Sequence, residues 1–145
     1  MTNYKKLKKR IKKHEGFVPK IYKDSLGKKT IGYGHLITEE DTYEEGKEYS
    51  KEDLEACFEK DFNNAVQSAE NVIGDIDLLP NAKEVIIEMC FQLGGHGVSK
   101  FKNMWAYLGD GDYVNAGNEM LDSRWYQQTP NRAKDLSDIM KGCQL

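Results

Sequence analysis

No apolar run in the chain approaches the roughly 18 consecutive residues of a membrane-spanning helix, and no internal repeat, linker or low-complexity stretch interrupts it. Cysteine is scarce. Cys57, Cys90 and Cys143 are odd in number and widely spaced, with no Cys-x-x-Cys, so neither a disulfide framework nor a zinc-ribbon spacing is indicated. Cys57 and Cys90 sit in apolar company ("LEACF", "IIEMCF"), where a thiol acts as a small hydrophobe. The chain therefore reads as one made in a reducing compartment. The start, "MTNYKKLKKRIKKHEGF", has no apolar core behind its lysines, so a cleaved signal peptide is not expected. "GDGD" (109–112) and "GDID" (74–77) lack the long ligand loop with its closing Glu that calcium requires. No metal is expected.

What is present is an ordinary globular composition: 145 residues, 39% hydrophobic and 31% charged, enough for a single domain with a real core. The net charge of −3 hides a split. Residues 1–30 carry 11 Lys/Arg against 2 acids, and the remainder 10 against 22. A basic face on an acidic protein steers it toward polyanions; nucleic acid, membrane and bacterial wall all qualify.

Tyr4, Leu7 and Ile11, followed by His14 and Glu15, have the three-and-four spacing of an amphipathic helix that Gly16 is placed to stop. Residues 17–35 alternate β-branched and aromatic residues with glycines around the turn cluster "DSLGKK", which predicts a small hairpin sheet. The acidic connection 38–50 is expected to add a short third strand. "SKED" (50–53) is a capping box opening a helix with Leu54, Phe58, Phe62, Ala65 and Val66 on one side, continuing to Val72. "AKEVIIEMCFQLGG" (82–95) reads as a buried central helix ended by glycines. Shorter helices are expected at about 99–108 and 112–122, and a last one from the capping Thr129 and Pro130 to Gly142. The fold class is α+β: a mainly helical protein with a small antiparallel sheet at one end. The organisation expected is a sheet lobe over about 15–50, a bridging helix over about 50–72, and a helical lobe over about 73–145 that includes the N-terminal helix.

The heavily basic stretch "KKHEGFVPKIYKDSLGKKTIGYGH" keeps two acids, Glu15 and Asp24, with Thr30 six residues beyond. Glu15 follows Ile11 by four and shares the apolar face. It also ends the helix, where the dipole disfavours a negative charge. Burial and dipole both raise a carboxyl's pKa, as a general acid requires; the plain alternative is a surface acid offsetting lysines. Asp24 is equally suited to forming the turn, Thr30 to filling a strand, and His35 to a structural role. Taken together, they put two carboxyls and a hydroxyl on a helix end and an adjoining hairpin, the equipment of glycoside hydrolysis.

The spacing Glu-(eight)-Asp-(five)-Thr, in the setting "HEGF…IYKDSLGKKTIGYGHLIT", resembles the phage-type lysozymes (endolysins) of glycoside hydrolase family 24. "CFQLGGHGVSKF" and "SRWYQQTPNRAK" resemble the central and C-terminal segments of its T-even members. The similarity runs to about residue 135, with a shorter middle and tail. It implies a peptidoglycan muramidase that cuts the β-1,4 bond from N-acetylmuramic acid to N-acetylglucosamine in a cleft between two lobes. Glu15 is then similar to the general acid, and Asp24 with Thr30 to the pair holding the attacking water, which implies inversion with carboxyls roughly 6.5–9.5 Å apart. Arg132 matches an arginine that contacts the acid, His35 and Asp61 a structural ion pair, and Leu36, Phe91 and Gln92 substrate-contacting positions. Met104 and Glu119 differ in type from the family's polar sugar contacts. Trp125 is expected in the core, and His96 in "GGHG" replaces an acid and is expected to be a solvated loop residue. No cofactor is implied.

A lytic transglycosylase, needing one Glu and no held water, is the nearest rival; Asp24 and Thr30 argue against it. Residues 4–13 as a nucleic-acid or membrane arm form a second rival, without any base-reading motif, and a non-catalytic wall-binding module a third. The partner expected is peptidoglycan, met as a monomer without nucleic-acid binding or stable membrane insertion. The resemblance implies storage in the host cytoplasm until a holin opens the inner membrane, then action in the periplasm or wall. With no appended domain, a free endolysin is expected rather than a structural lysozyme.

Overall fold

The computed structural model describes residues 4–24 and 26–143, in two compact units, Met1–Asn64 and Ala65–Leu145. The first opens with α1 (Lys5–Glu15), whose Leu7 and Ile11 are fully buried. Lys12 and Lys13 stand in its last turn, where cations complement the dipole. Gly16, at φ 72°, ends it with its N–H on the Lys12 carbonyl. Tyr4 precedes the helix in a left-handed conformation, φ 53°, and its ring meets Phe62 at 5.8 Å.

Three antiparallel strands follow in the order β1 (Val18–Lys23), β2 (Lys29–Gly32) and β3 (His35–Leu36). Val18 pairs with Gly32 and Tyr22 with Thr30, so residues 19–21 of β1 face Ile31 alone. This bulge twists the hairpin beside Tyr22 and Thr30, and bulges recur next to active sites because they re-aim side chains. The third strand lies before the acidic connection, not within it as the sequence reading expected. Residues 38–50 carry no strand; acid-rich segments pair poorly, and this one is pinned otherwise. The Glu44 N–H donates to the Tyr49 hydroxyl at 2.8 Å, and the Tyr49 N–H to the Pro19 carbonyl at 2.9 Å.

α2 (Lys51–Ile73) begins in the first unit and ends in the second. Ser50 caps it by accepting from the Asp53 N–H at 3.1 Å. Its Leu54, Phe58 and Phe62 complete an apolar cluster with Tyr33 and Ile31. Glu59 pairs with Lys8 at 2.8 Å and Glu55 with Lys12, tying α2 to α1.

In the second unit α3 (Pro80–Leu93) is buried along most of its length, with proline in its first turn. The helix expected at 99–108 is α5 (Lys102–Gly109), preceded by an unforeseen short α4 (Gly95–Ser99) and followed by α6 (Tyr113–Leu121). α7 (Arg124–Gln128) was not foreseen. The Ser123 hydroxyl caps it by accepting from the Tyr126 N–H at 3.1 Å. α8 (Pro130–Lys141) closes the unit. Thr129 stands before it as expected but makes no cap bond; its hydroxyl donates to the Trp125 carbonyl at 3.3 Å. α6 packs on α8 through Gly117, whose carbonyl accepts from the Ser137 hydroxyl at 2.7 Å. Among the described residues no helix is long and apolar enough to cross a membrane. The architecture is the α+β class the sequence indicates.

Candidate active site

The first unit gathers Glu15, Asp24 and Thr30. Glu15, half-buried at the end of α1, lays its carboxyl against Gly34 in the turn between β2 and β3. A β-carbon at position 34 would sit 2.8 Å from the Glu15 carboxyl carbon. Gly34 also has φ +74°, so both its backbone and its neighbour require glycine.

Asp24 follows β1 and does the turn-forming work that the plain reading gave it. Its Oδ1 accepts from the Leu26 and Lys28 N–H groups, each at 2.9 Å. The Thr30 side chain is buried, and its hydroxyl donates to the Lys28 carbonyl at 3.0 Å. The Asp24 N–H donates to that same carbonyl at 2.9 Å. One backbone oxygen thus fixes both residues, and the threonine oxygen keeps only acceptor capacity.

Tyr22, opposite Thr30 in the sheet, was not foreseen as a site residue. Burial, and then the facing carboxylates of Glu15 and Asp24, push its phenol above the ordinary value. One hydroxyl that stays protonated therefore lies within the field of both acids. The signal available in the sequence was an aromatic two residues before Asp24.

His35 is clamped between two carboxylates. Its Nδ1 is 2.7 Å from Asp61 Oδ2 and its Nε2 3.0 Å from Asp41 Oδ2. The Asp61 hydrogen bond, with Cys57 and Asp41 adding to it against the cost of burial, raises its pKa to about 11. Burial pushes Asp41 upward, but the Thr38 N–H and His35 outweigh it and hold the carboxyl below its ordinary range. Asp41 was missed because it lies in a run of acids. Leu36 is 47% exposed on β3.

In the second unit Phe91 and Gln92 are half-buried on α3. The Gln92 carbonyl oxygen accepts from Trp125 Nε1 at 2.9 Å and its amide nitrogen donates to the Thr129 hydroxyl at 3.2 Å. Trp125 is in the core as expected, 4% exposed. Arg132 is buried with its Nε donating to Glu88 Oε2 at 3.0 Å. Glu88 was overlooked although it is the one acid in the apolar run "VIIEMCF". A groove of about 670 Å³ is lined by Met104, Glu119, Phe101 and Trp125 among others. His96 is exposed on α4.

A small sheet beside helices, with one carboxyl at a helix end and another at a hairpin, is the construction of a glycoside hydrolase of the lysozyme type. The chain belongs to the phage lysozyme family, whose profile matches residues 12–139. It is 31% identical to "Probable T4-type lysozyme 2" and 32% identical to "Probable T4-type lysozyme 1" of Dictyostelium discoideum, each alignment covering 93% of both chains. It is 30% identical to the pre-baseplate central spike protein of Enterobacteria phage T4, over 90% of this chain and 26% of that protein. The protein is a lysozyme-type peptidoglycan hydrolase.

Proposed function

We propose that the protein cleaves the β-1,4 bond between N-acetylmuramic acid and N-acetylglucosamine with inversion, Glu15 acting as general acid. Glu15 protonates the leaving oxygen while water attacks the opposite face of the sugar ring. That water donates its hydrogens to Asp24 Oδ2 and Thr30 Oγ1, which aims a lone pair at the anomeric carbon. The observation carrying this reading is the shared Lys28 carbonyl, which holds the Thr30 hydroxyl as an acceptor beside Asp24. Tyr22, kept protonated between the acids, orients them and is not consumed. A proton transfer of this kind supplies about 10²–10⁴-fold in rate. Leu36, exposed on β3, offers an apolar face to a sugar ring. Phe91 is a second sugar contact, and Gln92 holds its surroundings through Trp125 and Thr129. Arg132 and the His35–Asp61 pair support and do not react.

The biological role that fits is host lysis by a monomer released through a holin lesion, without nucleic-acid binding. The match to a quarter of a baseplate spike protein favours one other role, wall penetration as part of a larger assembly.

Following the product by proton NMR during digestion of soluble glycan tests the chemistry. The α-anomer should appear first at the new reducing end, and Asp24→Asn should slow its appearance at least about 10²-fold. A β-anomer first would mean retention and a covalent intermediate; a 1,6-anhydro end would mean transglycosylase chemistry without a held water.

A further inference from the structure

We propose that His35, Cys57 and Asp61 form a binding site for a borderline-soft divalent cation, with zinc the best fit. A ring nitrogen of His35, the Cys57 Sγ and an Asp61 carboxylate oxygen all lie within 4.8 Å of one another, and each residue is half-buried. Cys57 and Asp61 are four apart on α2, so they project from one helical face. His35 reaches them from β3. Their sequence separations, 22 and four, match no metal-binding pattern, so the site emerges only on folding.

The donor set selects the metal. Imidazole, thiolate and carboxylate together suit zinc, whereas magnesium and calcium take oxygens throughout. Zinc–ligand distances of about 2.0–2.3 Å put tetrahedral donors roughly 3.3–3.8 Å apart. The present spacings are 2.7 Å from His35 Nδ1 to Asp61 Oδ2 and 4.0 Å from Cys57 Sγ to the same oxygen. Binding would open the first by about 0.6 Å and close the second by about 0.4 Å, and would draw the His35 nitrogen and Cys57 Sγ together from a separation of up to 4.8 Å, changes that side-chain rotations supply. The surroundings of a metal site are also in place. Asp41 Oδ2 lies 3.0 Å from His35 Nε2, the carboxylate–histidine arrangement that fixes tautomer and ring orientation in zinc proteins. The Tyr43 ring stands edge-on to His35, with ring centroids 6.2 Å apart. The ion would replace the proton shared by His35 and Asp61 and the thiol proton of Cys57, and both are released on binding.

The consequence is a staple between β3 and α2, read out in stability and spectroscopy. The test is a Co²⁺ titration of the reduced, full-length protein, watching for the thiolate-to-cobalt charge-transfer band, together with melting curves with and without Zn²⁺. A band saturating at one ion per chain is expected, as is a rise in Tm on the order of 5 °C when zinc exceeds its Kd about a hundredfold. Cys57→Ser, nearly isosteric, should abolish both, while Cys90→Ala, at a buried thiol remote in sequence, should keep them. Asp41→Asn should weaken cobalt binding about 10-fold and keep the band, which preserves the test if Cys57→Ser folds poorly. Absence of a stoichiometric band and of a Tm rise in the native protein would overturn the proposal, and so would a band retained in Cys57→Ser.

Discussion

Gly34 and Gly27 share a left-handed backbone, at φ +74° and +79°, but differ in what a methyl group would meet. At 27 there is open space, and at 34 the Glu15 carboxyl. Gly27→Ala should therefore cost only backbone strain, of order 1–3 kcal/mol, and leave turnover per folded molecule unchanged. Gly34→Ala should cost that strain and also displace Glu15, lowering kcat by at least about 10-fold; paired melting curves and rate measurements separate the two effects. His35 gives the second prediction at this scale. Its pKa of about 11 exceeds the ordinary 6.5 of the unfolded chain, so the stabilisation is complete below pH 6.5 and is lost progressively as pH rises toward 11. The slope in that range reaches at most about 1.4 kcal/mol per pH unit. Asp41 contributes in the opposite sense, losing its share as pH falls through its depressed pKa. Asp61→Asn should lower stability by about 3 kcal/mol near pH 6 and flatten the alkaline slope. Denaturant midpoints across pH 5–9 measure both, and an unchanged slope in the variant would contradict the assignment.

Elements were legible where one periodic face met a core. α1, the long α2 and α3 follow from their apolar spacing, and the hairpin from its glycines and turn cluster. What escaped was decided by tertiary contact. α7 is only five residues long and owes its start to one serine cap and a buried tryptophan. α4 is equally short, and the glycines that open it read in the sequence as the end of α3. Glu15, Asp24 and Thr30 were proposed from their spacing together with the family resemblance, whereas Tyr22, Gly34 and Asp41 come into view only through what folding sets against them. Helix packing yields its own prediction. A β-carbon at Gly117 would lie 3.0 Å from the Ser137 backbone oxygen, so Gly117→Ala must separate α6 from α8. It should cost about 1–3 kcal/mol by overpacking, read as a fall in the denaturation midpoint; a neutral result would mean that α8 shifts without loss.

At the scale of the whole molecule, basic residues are concentrated in the first 30 positions. Lys6, Lys9 and Lys13 recur at the three-and-four spacing on exposed positions of α1, away from the buried Leu7 and Ile11. Converting the three to Gln should slow attack on intact anionic wall several-fold at low salt and leave soluble glycan fragments unaffected, because screening removes long-range attraction and not local chemistry. Equal slowing on both substrates would place these lysines in folding or catalysis. The proposed mechanism turns on Glu15, and the most direct measurement is mass spectrometry of muropeptides released from purified peptidoglycan by the native protein and by Glu15→Gln. Fragments with reducing muramic acid ends are expected from the native protein and essentially none from a folded Glu15→Gln variant. Release at native rates by the variant, or anhydro ends one water lighter from the native protein, would contradict that mechanism.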